Sequence, residues 1–425
     1  MNAHWRASRD GRAAQPVIAL FGLFGSGNTG NDASLEAMLA TVERLCPEAQ
    51  VLCICGDPRN IVRDFGTLAT PIHRDYSRNP VLRKLGNLLR PFRELRGCKL
   101  LIVPGTGALD DFGTGWTGLP LAFFTWCLAA RLRGTEIAFV SVGAGPIKHP
   151  LSRWLMKTAI GMAHYRSYRD QVSKDYLQGI GFPAAKDPIY PDLAFLLPIP
   201  ADPGSGTGRR GPLTVGLGVM TYQGWRNDPK QGAASYAEYL EKISRFTLWL
   251  LDRGHPIRLL MGDNTDQHAL DDLQRVVAEL RPSLPTGRLQ ASPCRSLHDL
   301  LQQIAETDVV VATRFHSVVG ALKLGCPVIS IGYANKNDAL MVEVGLGRFC
   351  QSIESLDIDL LIRQFTELTA DAAAWRRLLG QVQPRYRARL RHQEDVLDAR
   401  FLRRRRSGTG NLLVPLPSCP QKKDG

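Results

Sequence analysis

No stretch of this sequence approaches the roughly 18 consecutive apolar residues that a membrane-spanning helix requires. The longest candidate, residues 119–132, is shorter and carries Arg131. Arginines ahead of an apolar run give the N-terminus a faint likeness to a secretory leader. That run, residues 17–21, passes straight into a glycine-rich turn with no small-residue cleavage site, and it reads as the first strand of the fold. Cysteine spacing of the kind that holds a metal or builds a disulfide framework is missing too. The nine cysteines, an odd number, stand singly apart from Cys53-Ile54-Cys55. This argues against a disulfide-stapled domain and for a reducing compartment, so the cytosol is the expected location. No nucleic-acid motif and no readable internal repeat is present. Acidic charge is in deficit: 40 Asp and Glu against 53 Lys and Arg give a formal charge of +13.

What the sequence does contain is a globular pattern. Across its 425 residues, 44% hydrophobic and 22% charged content is enough for two domains with sizeable cores. Short apolar runs alternate with helical patterns, the signature of parallel sheets with covering helices. Strands are expected at 17–21, 51–55, 99–103, 137–142 and 165–168, and a helix with Leu35, Met38, Leu39 and Val42 on one face follows the first. A Pro/Gly/Ser-rich break follows, then a second series of strands at 214–219, 257–261, 309–312 and 328–331, with helices over 233–253 and 266–281. The expected layout is a flexible N-terminus (1–15), a Rossmann-like domain (16–198), a linker (199–212) and a second Rossmann-like domain (213–353). A basic helical segment (354–406) and a disordered tail (407–425) complete it.

In open parallel sheets, ligands bind beyond the carboxyl ends of the strands, so the residues just after each strand carry the information. After the first strand stands Gly22-Leu-Phe-Gly25-Ser-Gly27-Asn28-Thr-Gly30-Asn31-Asp32. It contains a Gly25-x-Gly27-x-x-Gly30 spacing, a weak match to a dinucleotide fingerprint. It reads either as an anion-holding turn or as a tight turn with Asn31 or Asp32 capping a helix. Gly105-Thr-Gly107 with Asp110 and Asp111 close behind, and Gly143-Ala-Gly145, follow two further strands. Three glycine turns at one sheet edge look like the walls of a cleft, although Asp110 or Asp111 alone reads equally as a cap. In the second series one strand ends in Thr313-Arg314-Phe315-His316, and the next in Gly332-Tyr333-Ala334-Asn335-Lys336. Arg314, His316 and Lys336 are thereby delivered to one edge, with His316 at a helix start that welcomes an anion.

These pieces together resemble the polysaccharide pyruvyl transferase family. The matching blocks are Gly27-Asn28-x-Gly30-x-Asp32, Gly105-x-Gly107-x-Leu109-x-Asp111, Tyr168-Arg169-Asp170-x-x-Ser173 and Asp192-Leu-Ala-Phe195. The most specific is Arg314-x-His316, continuing through Gly325-x-Pro327-Val328-x-x-Ile331-x-Tyr333-x-x-Lys336 to Glu343-x-Gly345-Leu346. The resemblance implies two facing Rossmann-like domains, similar to B-type glycosyltransferases, and transfer of pyruvate from phosphoenolpyruvate to a sugar as a ketal. It implies that Arg314 clamps the anionic donor and His316 is the general acid, while Asn28, Gly30, Asp32, Gly105, Gly107 and Asp111 face the acceptor, Asp32 as a second catalytic group. Lys336 is assigned to the donor phosphate by position. The family often carries an arginine at the end of the second domain's first strand; none stands there, and Arg226, several residues later, is the substitute. Asn31 replaces a common Asp.

No cofactor and no metal is expected beyond the donor substrate. The acceptor is expected to be a saccharide, free or lipid-linked, of an exopolysaccharide or cell-surface polymer. The arginines of residues 376–406 are expected to reach the inner face of an anionic membrane. The rival readings on the same frame are a glycosyltransferase using a nucleotide-sugar and a non-catalytic glycan-assembly binding protein. A nicotinamide-dependent oxidoreductase rests only on the glycine spacing.

Overall fold

The computed structural model describes residues 15–74, 79–105, 107, 109–111, 115–200, 212–224, 229–333 and 335–403. The first sheet contains β1 (Val17–Phe21), β2 (Gln50–Cys55), β3 (Leu68–Pro71), β4 (Cys98–Pro104), β5 (Glu136–Val142) and β6 (Tyr165–Tyr168). The second contains β7 (Val215–Gly218), β8 (Ile257–Leu260), β9 (Leu289–Ala291), β10 (Val309–Ala312), β11 (Val328–Gly332) and β12 (Cys350–Ser352). Their orders are β3-β2-β1-β4-β5-β6 and β12-β11-β10-β7-β8-β9, with all pairs parallel. Both are the doubly wound arrangement, so the expectation of two Rossmann-like domains is met. The strand order reverses between β1 and β4 in one sheet and between β7 and β10 in the other, which is where such folds open a crevice.

Between the strands of the first domain run α1 (Thr29–Leu45), α2 (Pro58–Phe65), α3 (Pro80–Glu94), α4 (Leu119–Leu132) and α5 (Pro150–Gly161), and α6 (Gln171–Gly179) follows β6. The second domain has α7 (Pro229–Asp252), α8 (Gln267–Leu280), α9 (Leu297–Ala305), α10 (Phe315–Lys323) and α11 (Asn335–Glu343). After β12 come α12 (Ile358–Ala370), α13 (Ala372–Leu379) and α14 (Val382–Leu397). The central strands β1, β10 and β11 are buried at every position, which is why they read as continuous apolar runs. Helix α10 stops where Gly325 takes a positive φ of 65°, a conformation only glycine enters cheaply, with Pro327 beyond it.

Three strands have no counterpart in the sequence reading: β3, β9 and β12. Each is an edge strand of three or four residues, too short and too exposed to leave an apolar run. Residues 1–14 of the expected N-terminus, 201–211 of the expected linker, the whole of the expected tail and Arg226 fall outside the described residues.

The last helices are not a detached basic segment. Arg376 donates to the Asp308 carbonyl (2.7 Å), and Arg389 reaches Glu343 (2.9 Å) and the Ile189 carbonyl (3.1 Å). Gln393 bridges Ser141 and Ser167, and Glu394 takes Thr41 and Arg44. The segment thereby buckles one domain to the other, and those of its arginines are held by protein.

A second tie runs through Lys323. Its buried ammonium donates to the carbonyls of Phe195 (3.0 Å) and Leu197 (2.6 Å), in the chain that leaves the first domain. Burial pushes its pKa down from 10.5 to about 7. Between those two values the unfolded chain holds a proton that the folded one does not, so stability rises with pH across that window. A Lys323→Met variant should lose this rise, seen as flatter urea midpoints between pH 7 and 10; an unchanged slope would refute the assignment.

Candidate functional site

The turn after β1 is docked onto the opposite domain. Gly25 and Gly27 take φ of 72° and 89°, and Asn28 caps α1 by accepting the amides of Gly30 (3.1 Å) and Asn31 (3.2 Å). Its amide then donates across the cleft to Asp263 (2.9 Å), while Thr29 donates to the Gly262 carbonyl (2.8 Å) and the Asn264 amide to Gly27 (3.2 Å). Asn28 is therefore the cap, and its side chain is consumed by domain contact.

His316 stands in the first turn of α10 and lies against Gly30. A β-carbon at position 30 would fall 1.9 Å from the imidazole Cε1 and Nδ1, so only glycine admits this approach. On its other side, Nε2 is 3.8 Å from Asp192 Oδ2, ion-pair range but too long for a hydrogen bond. Asp192 is buried, accepts the Ala194 amide (3.0 Å) and pairs with Arg169 (3.3 Å). Burial raises its pKa, but the charges of His316 and Arg169 more than offset this and hold the carboxyl below its ordinary value. The Arg169 guanidinium lies 4.4 Å over the Phe315 ring. Its space is made by the glycine turns, since a β-carbon at Gly143 would sit 2.6 Å from Arg169 Nε. A β-carbon at Gly107 would lie 3.4 Å from the same guanidinium, and Gly105, at φ 52°, packs against Ser34 of α1. The immediate neighbours of these glycines are Arg169 and α1.

Arg314, just ahead of α10, is already bidentate: Nε and Nη2 hold the fully buried Asp266 at 2.9 and 2.5 Å, and Nη2 also reaches Thr265 (3.3 Å). Burial works against its charge, and the Asp266 carboxylate overrides this. Lys336, in the first turn of α11, places Nζ 3.4 Å from the Tyr333 hydroxyl and 5.8 Å from the Phe315 ring centroid. Lys336 first, then Arg314, draws the pKa of Tyr333 below its ordinary value. Arg314, His316 and Lys336 thus meet at the carboxyl edge of β10 and β11, beside two helix N-termini, and Tyr333 joins them.

Two expected acceptor residues are turned inward. Asp32 accepts the Gly25 amide (2.7 Å) within its own turn, and burial raises it to about 6. Asp111 spends both oxygens on the amides of Lys148 and His149 (2.9 Å each), fixing the loop after β5. From that loop Lys148 borders a cavity of about 450 Å³ whose other walls, with Tyr222, Glu238, Lys242 and Glu354 among them, belong to the second domain.

The family profile described as "Polysaccharide pyruvyl transferase" matches residues 28–335. Among solved structures, the chain is similar to MurG from Acinetobacter baumannii (14% identity, TM-score 0.52, covering 90% of this chain and 99% of that one). It is similar to the lipopolysaccharide outer core galactosyltransferase WaaB (13%, TM-score 0.54, 90% and 99%). S. aureus MnaA in a co-structure with UDP also matches (11%, TM-score 0.57, 86% and 90%). At such identities these likenesses establish the two-domain fold. No curated protein sequence matches significantly.

The glycine at position 30 gives a sharp test. Gly30→Ala should leave far-UV circular dichroism unchanged, because alanine favours a helical first turn, yet displace His316. Turnover by this variant is expected to fall at least tenfold, about 1.4 kcal/mol of lost positioning. Full activity would show that the His316–Gly30 contact has no part in catalysis.

Proposed function

This chain belongs to the polysaccharide pyruvyl transferase family, and from that premise we propose that it moves the pyruvyl group of phosphoenolpyruvate onto a saccharide precursor of an exopolysaccharide or cell-surface polymer. The observation that carries this reading is the placement of His316, backed by the buried Asp192–Arg169 pair, next to the cationic edge of Arg314 and Lys336. A donor with one carboxylate and one phosphate needs such an edge, and the helix N-termini of α10 and α11 add to its field.

In this mechanism His316 in its imidazolium form protonates the methylene carbon of the donor, and positive charge develops at the carbon bearing the phosphate. Asp192 stabilises the imidazolium and orients the ring. A sugar hydroxyl attacks that carbon, the carbon–oxygen bond to phosphate breaks, and a second hydroxyl closes the ketal. Of the two hydroxyl protons, one restores the imidazolium and the other leaves with inorganic phosphate. Lys336 meets the phosphate as a point charge. Arg314 acts through its fixed charge and the N–H groups that Asp266 does not use. The cavity bordered by Lys148 and Tyr222 receives the acceptor, with its ring face against tyrosine and its hydroxyls on polar walls. The eight cysteines among the described residues, seven of them buried, stand outside any disulfide, which fits action in the reducing cytoplasm.

Phosphoenolpyruvate at a hundred times its dissociation constant should stabilise the protein by about 2.7 kcal/mol, read as a rise in Tm. Lys336→Ala is expected to abolish the rise. Stabilisation by nucleoside diphosphates in place of phosphoenolpyruvate would favour the glycosyltransferase reading.

A further inference from the structure

Helix α3 is amphipathic in the wrong direction for a helix that merely covers a sheet. Val81, Leu82, Leu85, Leu88 and Leu89 recur at helical spacing, and all five are exposed, by 39% to 70%. The inner side is held by other means. Buried Arg90 donates to the carbonyls of Pro71 and Ile72 and lies 5.4 Å from the Trp126 ring of α4, and Arg133 donates to the Phe92 carbonyl (3.0 Å). The apolar stripe therefore has no structural employment among the described residues.

The stripe does not end with α3. Helices α3, α4 and α5 pack side by side on one face of the first sheet. On α5, Leu151 and Trp154 are exposed by 38% and 56%, with the Trp154 ring tilted against Phe124 at 5.6 Å between centroids. The charge on this face has one sign. Apart from the buried Arg90, the three helices carry Arg83, Lys84, Arg93, Arg131, Arg153 and Lys157 against a single acid, Glu94. Lys84 and Arg93 flank the stripe on α3 and are exposed, as is Arg131 of α4. An apolar stripe flanked by cations matches an anionic bilayer surface, where leucine side chains enter the acyl boundary and Lys and Arg stay at the headgroups. The same charge opposes pairing with a second copy of the chain, whose matching face would be equally basic.

We propose that the α3–α5 face of the first domain docks on an anionic membrane surface. In a parallel sheet the helix N-termini lie at the carboxyl edge of the strands, so Val81, Leu82, Leu151 and Trp154 stand at the rim from which the cleft opens. Docking there brings the mouth of the cleft to the lipid–water boundary. This assigns membrane contact to a surface other than the C-terminal arginines, and it holds whatever the donor is.

The test is co-sedimentation of the full-length protein with phosphatidylglycerol-containing vesicles and with vesicles of phosphatidylcholine alone. The wild type is expected to partition onto the anionic vesicles, more weakly as salt rises. Lys84→Glu with Arg93→Glu should lower the partition coefficient by at least roughly 25-fold, fivefold for each charge at about 1 kcal/mol apiece. Leu85→Ser with Leu89→Ser should lower it about tenfold or more. All four side chains are exposed, so both variants should keep the wild-type Tm. Wild type that fails to sediment, or variants that sediment equally well, would overturn the proposal. So would a wild-type dimer that Leu85→Ser with Leu89→Ser converts to monomer without any vesicle binding.

Discussion

Asp192 is a carboxylate carried into the boundary between two domains, and its burial is a debt that the surrounding structure discharges. Arg169 supplies the countercharge from the same domain, and His316 faces the carboxylate from the opposite one. Removing one partner of such a buried pair typically costs about 3–5 kcal/mol, so the arrangement holds both the imidazole and the closed cleft in place. Much else follows from housing it. Gly143 and Gly107 leave room for the guanidinium, Gly30 leaves room for the ring, and Phe315 underlies the guanidinium. Lys323 and Gln383 grip the Phe195 carbonyl three residues beyond Asp192, which fixes the carboxylate to the domain it faces.

The site owes its position to topology. Both sheets reverse their strand order at one interior point, and the loops after β1, β4, β7 and β10 surround the gap. His316 and Gly30 come from the two switch points, 286 positions apart in sequence, and meet because the domains face each other through them. The chemistry is thus assembled at a seam, where a small change in domain closure alters the reacting geometry.

Much of this was legible in one dimension, and the remainder has identifiable causes. Central strands such as β1 and β10 are buried on both faces, so their composition announces them. The edge strands β3, β9 and β12 carry no comparable signal. Arg314, His316 and Lys336 were readable as a group because consecutive parallel strands deliver them to one edge. Asp192 and Arg169 were visible only as parts of motifs, since nothing in their spacing says that they meet His316. Arg314 illustrates the opposite limit: its position was readable, but its prior engagement with Asp266 was not. Asp111, read as acceptor-facing, proves to brace the loop that carries Lys148. The arginine-rich end of the chain looked like a surface patch because sequence cannot show that Arg376 and Arg389 are spent on the domain junction.

The central claim is that His316 delivers the proton that commits phosphoenolpyruvate to transfer. Its most direct measurement is phosphate release from phosphoenolpyruvate in the presence of a pool of nucleotide-linked and lipid-linked saccharides, with mass spectrometry of the saccharide products. The account predicts release by the wild type coupled to a pyruvyl-bearing saccharide, and a loss of at least about a hundredfold in His316→Ala with donor binding retained. Release that His316→Ala sustains at the wild-type rate, or sugar transfer from a nucleotide-linked donor without phosphate release, would contradict it.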